Sequence, residues 1–207
     1  MDSPSRVRSA ARSDIPVLSR LLTQLYAFEL PGLLRGDPAA QAEFVRRLVL
    51  WGPLDGRFVL VRGDEVVATG AVATIDAPRP PTASGALLSL PSLMGAANAV
   101  KSLVGVARGL LIVASPPAAD EAQIHSVVVD DRARGQGAGA EMMAHLEHTA
   151  TAAGKRRAVL QVVSSNAGAR AFYANLGYTE GGPTHGRLRS AVGFRSVLMH
   201  KDLAPTG

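Results

Sequence analysis

The first quarter of the chain combines one short strand-like run with two stretches of helical apolar spacing. Residues 6–10 can form a strand, and Ser13 or Asp14 then offers an N-cap for a helix with Pro16 in its first turn. The apolar positions of this helix recur every three or four residues, at Val17, Leu18, Leu21, Leu22 and Leu25. An Asp-Pro pair at 37–38 opens a second helix, so the pattern predicts a strand followed by two amphipathic helices.

The rest of the chain alternates between β-branched runs and helical periodicity. Strands are predicted at 57–62, 65–73, 124–129, 158–163, 178–181 and 196–201. Helices are predicted at 137–153, which ends at Gly154, and at 166–176, which is followed by Gly177. Because strands and helices alternate, the predicted fold class is α/β with a mixed sheet.

Residues from about 78 to 120 interrupt this alternation. Prolines lead into and out of the segment, and an apolar stripe with helical spacing lies between them, at Leu90, Leu93, Met94, Ala97, Val100, Val104 and Ala107. The stripe predicts an inserted helix that serves as a lid or a packing element on the same domain. A membrane-surface helix is less favoured because the segment has few cations for anionic lipid.

Composition and charge narrow the function classes. The 207 residues are 47% hydrophobic and include no cysteine, which excludes disulfides, thiol nucleophiles and Cys-ligated zinc. The net charge of +5 suits a polyanionic partner, but no DNA-reading helix or aromatic platform is recognisable. Without an apolar leader or spanning run, we expect a single cytoplasmic domain over 1–207 with no nucleic acid or membrane partner. The oligomeric state stays open, and a homodimer is one alternative.

The clearest chemical motif is a glycine-rich turn between a predicted strand and a predicted helix. It reads Arg134-Gly135-Gln136-Gly137-Ala138-Gly139-Ala140. Alternate glycines leave main-chain amides bare, and the helix N-terminus adds its positive dipole end, so the turn favours a pyrophosphate. A Walker A loop is excluded because no Lys-Ser or Lys-Thr pair follows the glycines. A dinucleotide fingerprint fits poorly, because 155–165 contains no acidic residue.

Two linked segments resemble the signatures of one enzyme family. Residues 129–139 look like the acyl-CoA signature of the GNAT superfamily of N-acetyltransferases, Arg/Gln-x-x-Gly-x-Gly/Ala. About thirty residues later, Asn166, Phe172-Tyr173 and Leu176-Gly177-Tyr178 are similar to the second signature of that family. The resemblance implies a GNAT-like α/β fold with a mixed, mostly antiparallel central sheet, helices on both faces and a helical insertion at about 78–120.

The resemblance also implies a binding site for acetyl-CoA as co-substrate, with no metal. The family fold implies that two central strands splay apart to admit it. Main-chain groups of Val127, Val128 and Val129 would pair with the pantetheine arm, and Asn166 would contact it. The pyrophosphate would be held by the main-chain amides of Arg134, Gly135, Gln136, Gly137, Ala138, Gly139 and Ala140.

The implied activity is transfer of an acetyl group from acetyl-CoA to an amine by direct attack. This chemistry needs a base for the amine proton, donors for the oxyanion and an acid for the leaving thiolate. The resemblance makes Tyr173 the candidate acid, and His125 is the candidate base, with Glu121 as second choice and Gln123 as a residue that can orient water. Regular strand alternation would place Gln123, His125, Val127 and Val129 on one side.

Several questions stay open at this level. A non-catalytic module that senses acyl-CoA is the alternative function. His145 and His148 lie three apart on a predicted helix without a third ligand nearby, so no metal site is predicted. The acceptor amine is not identified, although Glu29 or Asp37 can attract a cation. A late basic segment, with His185, Arg187, Arg189 and Arg195, suits either the adenosine phosphate or an acidic acceptor.

Overall fold

The computed structural model describes residues 5–29, 34–76, 84–113, 117–183 and 196–204. Its strands are β1 (Ser5–Ser9), β2 (Arg57–Arg62), β3 (Glu65–Ala73), β4 (Glu121–Val129), β5 (Arg157–Val163), β6 (Thr179–Pro183) and β7 (Ser196–Asp202). Its helices are α1 (Ile15–Glu29), α2 (Pro38–Trp51), α3 (Ser84–Leu88), α4 (Leu90–Met94), α5 (Ala96–Val113), α6 (Ala138–Ala152) and α7 (Ala167–Asn175). The predicted bounds of β2 and β3 match the observed ones.

The seven strands form one mixed sheet in the order β1-β2-β3-β4-β5-β7-β6. All neighbouring pairs are antiparallel except β4 and β5, which run parallel. The β4–β5 ladder joins only 121–123 to 157–159. The two strands therefore part beyond Gln123, and the second half of β4 has a main-chain edge that no described strand covers.

Helices cover both faces of the sheet, as predicted. On one face α6 supplies Met142, Met143 and Leu146 to a cluster that also includes Leu60 and Ile124. On the other face α1 and α2 bury a second cluster, formed by Ile15, Leu18, Leu22, Val45, Val49, Val59 and Val61. The leucines that recur with helical spacing in α1 are thus residues that this helix buries against β2.

The inserted segment packs on α2 as a third layer. Phe44 of α2 contacts Ala86, Leu90, Met94 and Ala99 in one buried cluster. The prediction of one continuous apolar stripe is wrong, because Gly95 adopts φ +76° and separates α4 from α5. Past that break Ala99 and Ser102 of α5 are buried, whereas Val100 and Val104 are exposed. Within the described residues, no helix is both long and apolar enough to span a bilayer.

The two predicted helix starts have different outcomes. Asp37 caps α2 as expected, because its Oδ1 accepts a hydrogen bond from the main-chain N–H of Ala39 at 2.7 Å. Asp14 does not cap α1. It ends a short 3-10 turn, accepts the N–H of Ala11 at 2.8 Å and forms a bidentate pair with Arg8 at 2.6 and 2.8 Å.

Candidate active site

β4 carries one extra residue near its centre. Between β3 and β4 the register runs from Ala71 opposite His125 to Thr69 opposite Val128, so two steps along β3 match three along β4. Ser126 accommodates the extra residue with a φ of 53°, and among the described residues it is the one non-glycine with a left-handed backbone. A bulge of this kind bends the strand and changes which way the following side chains point.

This bulge overturns the predicted alternation of β4. Val127 and Val129 pack with the cluster on the α6 side, the same cluster that buries Ile124. His125 points to the opposite face, where it is influenced by the charge of Arg57. The side chain of the candidate base His125 therefore lies on a different face of the strand from those of Val127 and Val129.

The glycine-rich turn has a backbone conformation that leaves its main-chain amides free to bind a ligand. Gly135 and Gly137 have φ angles of +74° and +80°, and a Cβ at either position would meet no atom within 4 Å. Their need for glycine is thus conformational and not steric. Gly139 differs, because a Cβ there would lie 3.0 Å from Cζ of Phe172. The missing side chain lets α6 approach α7 closely.

Polar contacts fix the turn to α1 and β2. Asp130 is buried, accepts the main-chain N–H of Arg132 at 3.1 Å and pairs with Arg20 of α1 at 2.7 Å. The hydrogen bonds from Arg132 hold the pKa of Asp130 well below its usual range. The main-chain carbonyl of Gln136 accepts a bond from Arg62 at 2.9 Å. The chain is therefore anchored at Asp130, just before the turn, and at Gln136 within it.

A cavity of about 600 Å³ lies between the free edge of β4, the glycine turn, α7 and the C-terminal end of α1. Its lining includes these predicted site residues: Val127, Val128, Val129, Arg134, Gly135, Gly137, Ala138, Gly139, Ala140, Asn166 and Tyr173. Gln136 and His125 are not part of the lining. The side chain of Gln136 instead donates to the carbonyl of Arg132 at 2.9 Å.

Of the α1 residues at this cavity, the sequence interpretation named only Glu29, as a group that can attract the acceptor amine. Gln24, Leu25, Phe28 and Glu29 all line it. Phe28 continues the apolar spacing of α1 three residues after Leu25, yet it is 71% exposed. An exposed aromatic side chain at the rim of a cavity is typical of a binding surface.

Three polar side chains meet at this end of the cavity. Asn166 caps α7 through Oδ1, which accepts the N–H of Ala169 at 3.0 Å, and its Nδ2 donates to Oε1 of Glu29 at 3.2 Å. Burial raises the pKa of Glu29, and the bond from Asn166 opposes that shift. Burial and the nearby charge of Glu29 raise the pKa of Tyr173, so its phenol is protonated at neutral pH.

The other candidate bases lie away from the cavity. Burial and the cation of Arg57 lower the pKa of His125 to about 4, and its Nδ1 lies 3.1 Å from Oγ of Ser126. Glu121 sits where β4 and β5 still pair, accepts the N–H of Ala118 at 3.0 Å and lies 3.8 Å from Arg157. Gln123 is the last residue of that ladder.

Two further predictions concern residues beyond the cavity. Across the parts of the chain that the structure describes, no three His, Asp or Glu side chains gather in a way that suits a metal ion. His145 packs edge-on against Phe58, with ring centroids 4.7 Å apart. The late basic segment, His185, Arg187, Arg189 and Arg195, falls outside the described residues.

Solved structures similar to this chain are acetyltransferases. A ribosomal-protein-alanine N-acetyltransferase from Brucella melitensis is 16% identical, with a TM-score of 0.55 over 96% of this chain and 99% of that one. A GCN5-related N-acetyltransferase from Kribbella flavida is 19% identical, with a TM-score of 0.58 over 96% and 98%. N-acetylglutamate synthase from Neisseria gonorrhoeae, solved with coenzyme A and N-acetyl-glutamate, is 14% identical, with a TM-score of 0.57 over 99% of this chain and 36% of that one.

At these low sequence identities, structural similarity establishes only the fold. The family assignment rests on the comparison of sequences. No curated protein sequence matches the chain significantly. The sequence model of the acetyltransferase (GNAT) family does match, over residues 22–178. That range spans α1 to the residue after Gly177 and includes the inserted helices, the bulged strand, the glycine turn and Tyr173. The chain belongs to the GNAT family of acetyltransferases.

Proposed function

We propose that this chain transfers the acetyl group of acetyl-CoA to an amine by direct attack, in the cavity between β4, α6, α7 and the end of α1. Residues 1–207 would act as a single domain. One observation carries the proposal: the free edge of β4, the bare amides of the glycine turn and the Tyr173 phenol all border one cavity of about 600 Å³. A module that only senses acyl-CoA would not need an acid and a carboxylate beside the thioester.

The residues at the cavity suit a long, diphosphate-containing ligand. The uncovered edge of β4 at 127–129 offers main-chain groups to the pantetheine amides, as an added strand would. The turn from 134 to 140 offers amides and the N-terminus of α6 to the pyrophosphate. The left-handed backbone at Gly135 and Gly137 supports this assignment, because such a conformation lets main-chain amides turn toward one anion.

Tyr173 is proposed as the general acid. As the new C–N bond forms and the C–S bond breaks, the leaving thiolate needs a proton, and a protonated phenol at the cavity wall can donate one. The raised pKa of Tyr173 keeps its proton in place until charge develops on the sulfur. The resemblance to the second GNAT signature supports the same role.

Glu29 is proposed as the base that takes the proton of the acceptor amine. It lines the cavity, its pKa is raised by burial, and it lies close enough to Tyr173 to raise the pKa of that residue. A raised pKa makes a carboxylate a better proton acceptor. His125 stays a second candidate, acting through water, because it is uncharged at neutral pH but does not line the cavity.

Calorimetry and a thiol-release assay test the proposal together. The full chain should bind acetyl-CoA and release free thiol when primary amines are added. If acetyl-CoA binds but no amine in a broad panel accelerates thiol release, the sensing alternative is favoured. If neither coenzyme A nor acetyl-CoA binds, the assignment of the cavity is wrong.

A further inference from the structure

Next to the proposed acetyl-transfer cavity lies a cation that has no counter-charge among the described residues. Arg57, the first residue of β2, is half-buried, and its Nη1 is buried with no hydrogen-bond partner among the described residues. Desolvation lowers the pKa of Arg57. Burying a guanidinium without a partner costs free energy, so such an arrangement calls for an anion from another source.

The chain offers Arg57 almost no anion of its own. Of its 17 Asp and Glu residues, all but Asp2 fall in the described ranges, and none of these forms an ion pair with Arg57. The two groups that interact with its charge are Tyr26 and His125. Burial raises the pKa of Tyr26 and lowers that of His125, so both are neutral at pH 7. The cluster Arg57–Tyr26–His125 therefore carries one net positive charge.

The sheet register explains how the cluster is assembled. Arg57 lies opposite Ala71 on β3, and Ala71 lies opposite His125 on β4. The Cα atoms of Arg57 and His125 are thus about 10 Å apart across two strand spacings. The small side chain of Ala71 leaves room for the long arginine to reach towards the histidine. Tyr26, on α1, is close enough to Arg57 for the guanidinium charge to lower its pKa against the effect of burial.

The cluster adjoins the cavity along two elements. On α1, Tyr26 lies between Leu25 and Phe28, which both line the cavity. On β4, His125 precedes the bulge, and the cavity lining begins at Val127. Gln24, also in the lining, has a buried Oε1 that accepts no bond from the described residues. Tyr26, Arg57 and His125 do not line the cavity, but each of them keeps part of its surface exposed.

We propose that the acceptor amine also carries a carboxylate, and that Arg57 binds this carboxylate within the cluster it forms with Tyr26 and His125. The inference rests on the proposed acetyl transfer and narrows the acceptor to small amino acids or similar amino carboxylates. A guanidinium matches a carboxylate through paired N–H donors, and the Tyr26 hydroxyl is a further donor. A single positive charge complements a monoanion better than a phosphate dianion, which would leave excess negative charge half-buried.

Pairs of acceptors that differ only in whether they carry a carboxylate or a carboxamide test this inference. Thiol release from acetyl-CoA should be measured with a panel of α- and ω-amino acids, each paired with its own carboxamide. We expect at least one amino acid to exceed its amide by about 10- to 100-fold in kcat/KM, the effect of a charge-assisted hydrogen-bonded pair. In Arg57→Met this preference should fall to near unity, and Arg57→Lys should retain part of it. Arg156→Gln, an exposed arginine paired with Asp120, is the control and should keep the full preference.

A second readout does not depend on turnover. Propionate at millimolar concentration should raise the Tm of the wild-type chain, whereas propionamide at the same ionic strength should not, and Arg57→Met should lose the propionate effect. Arg57→Met without ligand should melt at the wild-type temperature or above, because it removes an uncompensated half-buried charge. A Tm lowered by that substitution would indicate a structural role for Arg57.

The outcomes separate this inference from the proposed function. If acetyl-CoA is bound and amines are acetylated with no preference for carboxylates, the acceptor inference is wrong and the acetyl-transfer proposal stands. The inference is also overturned if Arg57→Met keeps the preference for carboxylates or the propionate effect. If the chain does not bind acetyl-CoA, the proposed function fails first, and the propionate measurement still decides whether Arg57 binds carboxylates.

Discussion

Asn166 Nδ2 donates a hydrogen bond to Oε1 of Glu29 across 3.2 Å and so joins residues that are 137 positions apart. Asn166 is also the N-cap of α7, and Glu29 is the last residue of α1. The bond therefore ties the two helices together at the cavity. It places a carboxylate of raised pKa beside Tyr173, so the two groups proposed for proton transfer share one wall.

Substitution of Tyr173 by Phe should lower kcat by about 100-fold, because the leaving thiolate loses its proton donor. The Kd for acetyl-CoA, measured by calorimetry, should stay unchanged, since the ring and its contacts remain. Tyr178→Phe is the matched control: its ring lies 5.8 Å from that of Tyr173, but it does not line the cavity. Equal losses in the two variants, or no loss in Tyr173→Phe, would remove Tyr173 from the mechanism.

The pH dependence of kcat/KM should identify the base. Because burial raises the pKa of Glu29, its carboxylate form is populated only above a pH higher than the usual glutamate value of about 4.3. We expect activity to rise with pH through that shifted pKa, and Glu29→Gln should abolish the rise and lower the plateau. Glu43→Gln, on α2 and outside the cavity lining, should leave the profile intact. A normal profile in Glu29→Gln, together with loss of activity in His125→Phe, would transfer the role to His125.

Substitution of Gly137 by Ala should weaken acetyl-CoA binding at least several-fold. An alanine held at this φ of +80° costs about 1 kcal/mol. If the backbone relaxes to avoid that cost, the main-chain amides no longer point toward the phosphates. Gly154→Ala is a matched control at the opposite end of α6, with φ +73° and no atom within 4 Å of an added Cβ. Both variants should lower Tm by a similar amount, but only Gly137→Ala should change the Kd for acetyl-CoA.

The Arg8–Asp14 pair should make stability depend on acidic pH. Hydrogen bonds from Arg8 lower the pKa of the buried Asp14 below its unfolded value of about 3.9. The stabilisation is therefore present above that pH and is lost as pH falls through the folded pKa. Asp14→Asn should reduce the free energy of unfolding at pH 7 by about 1–2 kcal/mol, allowing for solvent screening of the partly exposed arginine.

Urea unfolding of Asp14→Asn and wild type at pH 7 and in acid measures this difference. The difference in the free energy of unfolding between the two proteins should become smaller as acid protonates Asp14 in the wild type. Asp55→Asn, at an exposed loop position, should show no gap at either pH. A gap that stays constant with pH would mean that the carboxylate charge of Asp14 contributes nothing.

Local sequence patterns are sufficient to predict most of the individual strands and helices and the glycine-rich turn. The Asp-Pro start of α2, the turn between β2 and β3, and the left-handed Gly135, Gly137 and Gly177 depend on a few adjacent residues. Such features follow from allowed backbone angles and capping, which neighbouring side chains dictate. The family signatures extended this local reading to Tyr173 and to the fold class.

How distant residues meet could be seen only in the folded chain. The Ser126 bulge, which turned His125 away from Val127, depends on the register between β3 and β4, and no residue of β4 alone specifies it. The approach of Glu29 to Asn166 and of Arg57 to His125 depends on which strands pair and how α1 crosses the sheet. Strand alternation and helical spacing predict which way side chains point along one strand or helix. Burial, pKa and charge pairing depend instead on neighbours that come together only when the chain folds.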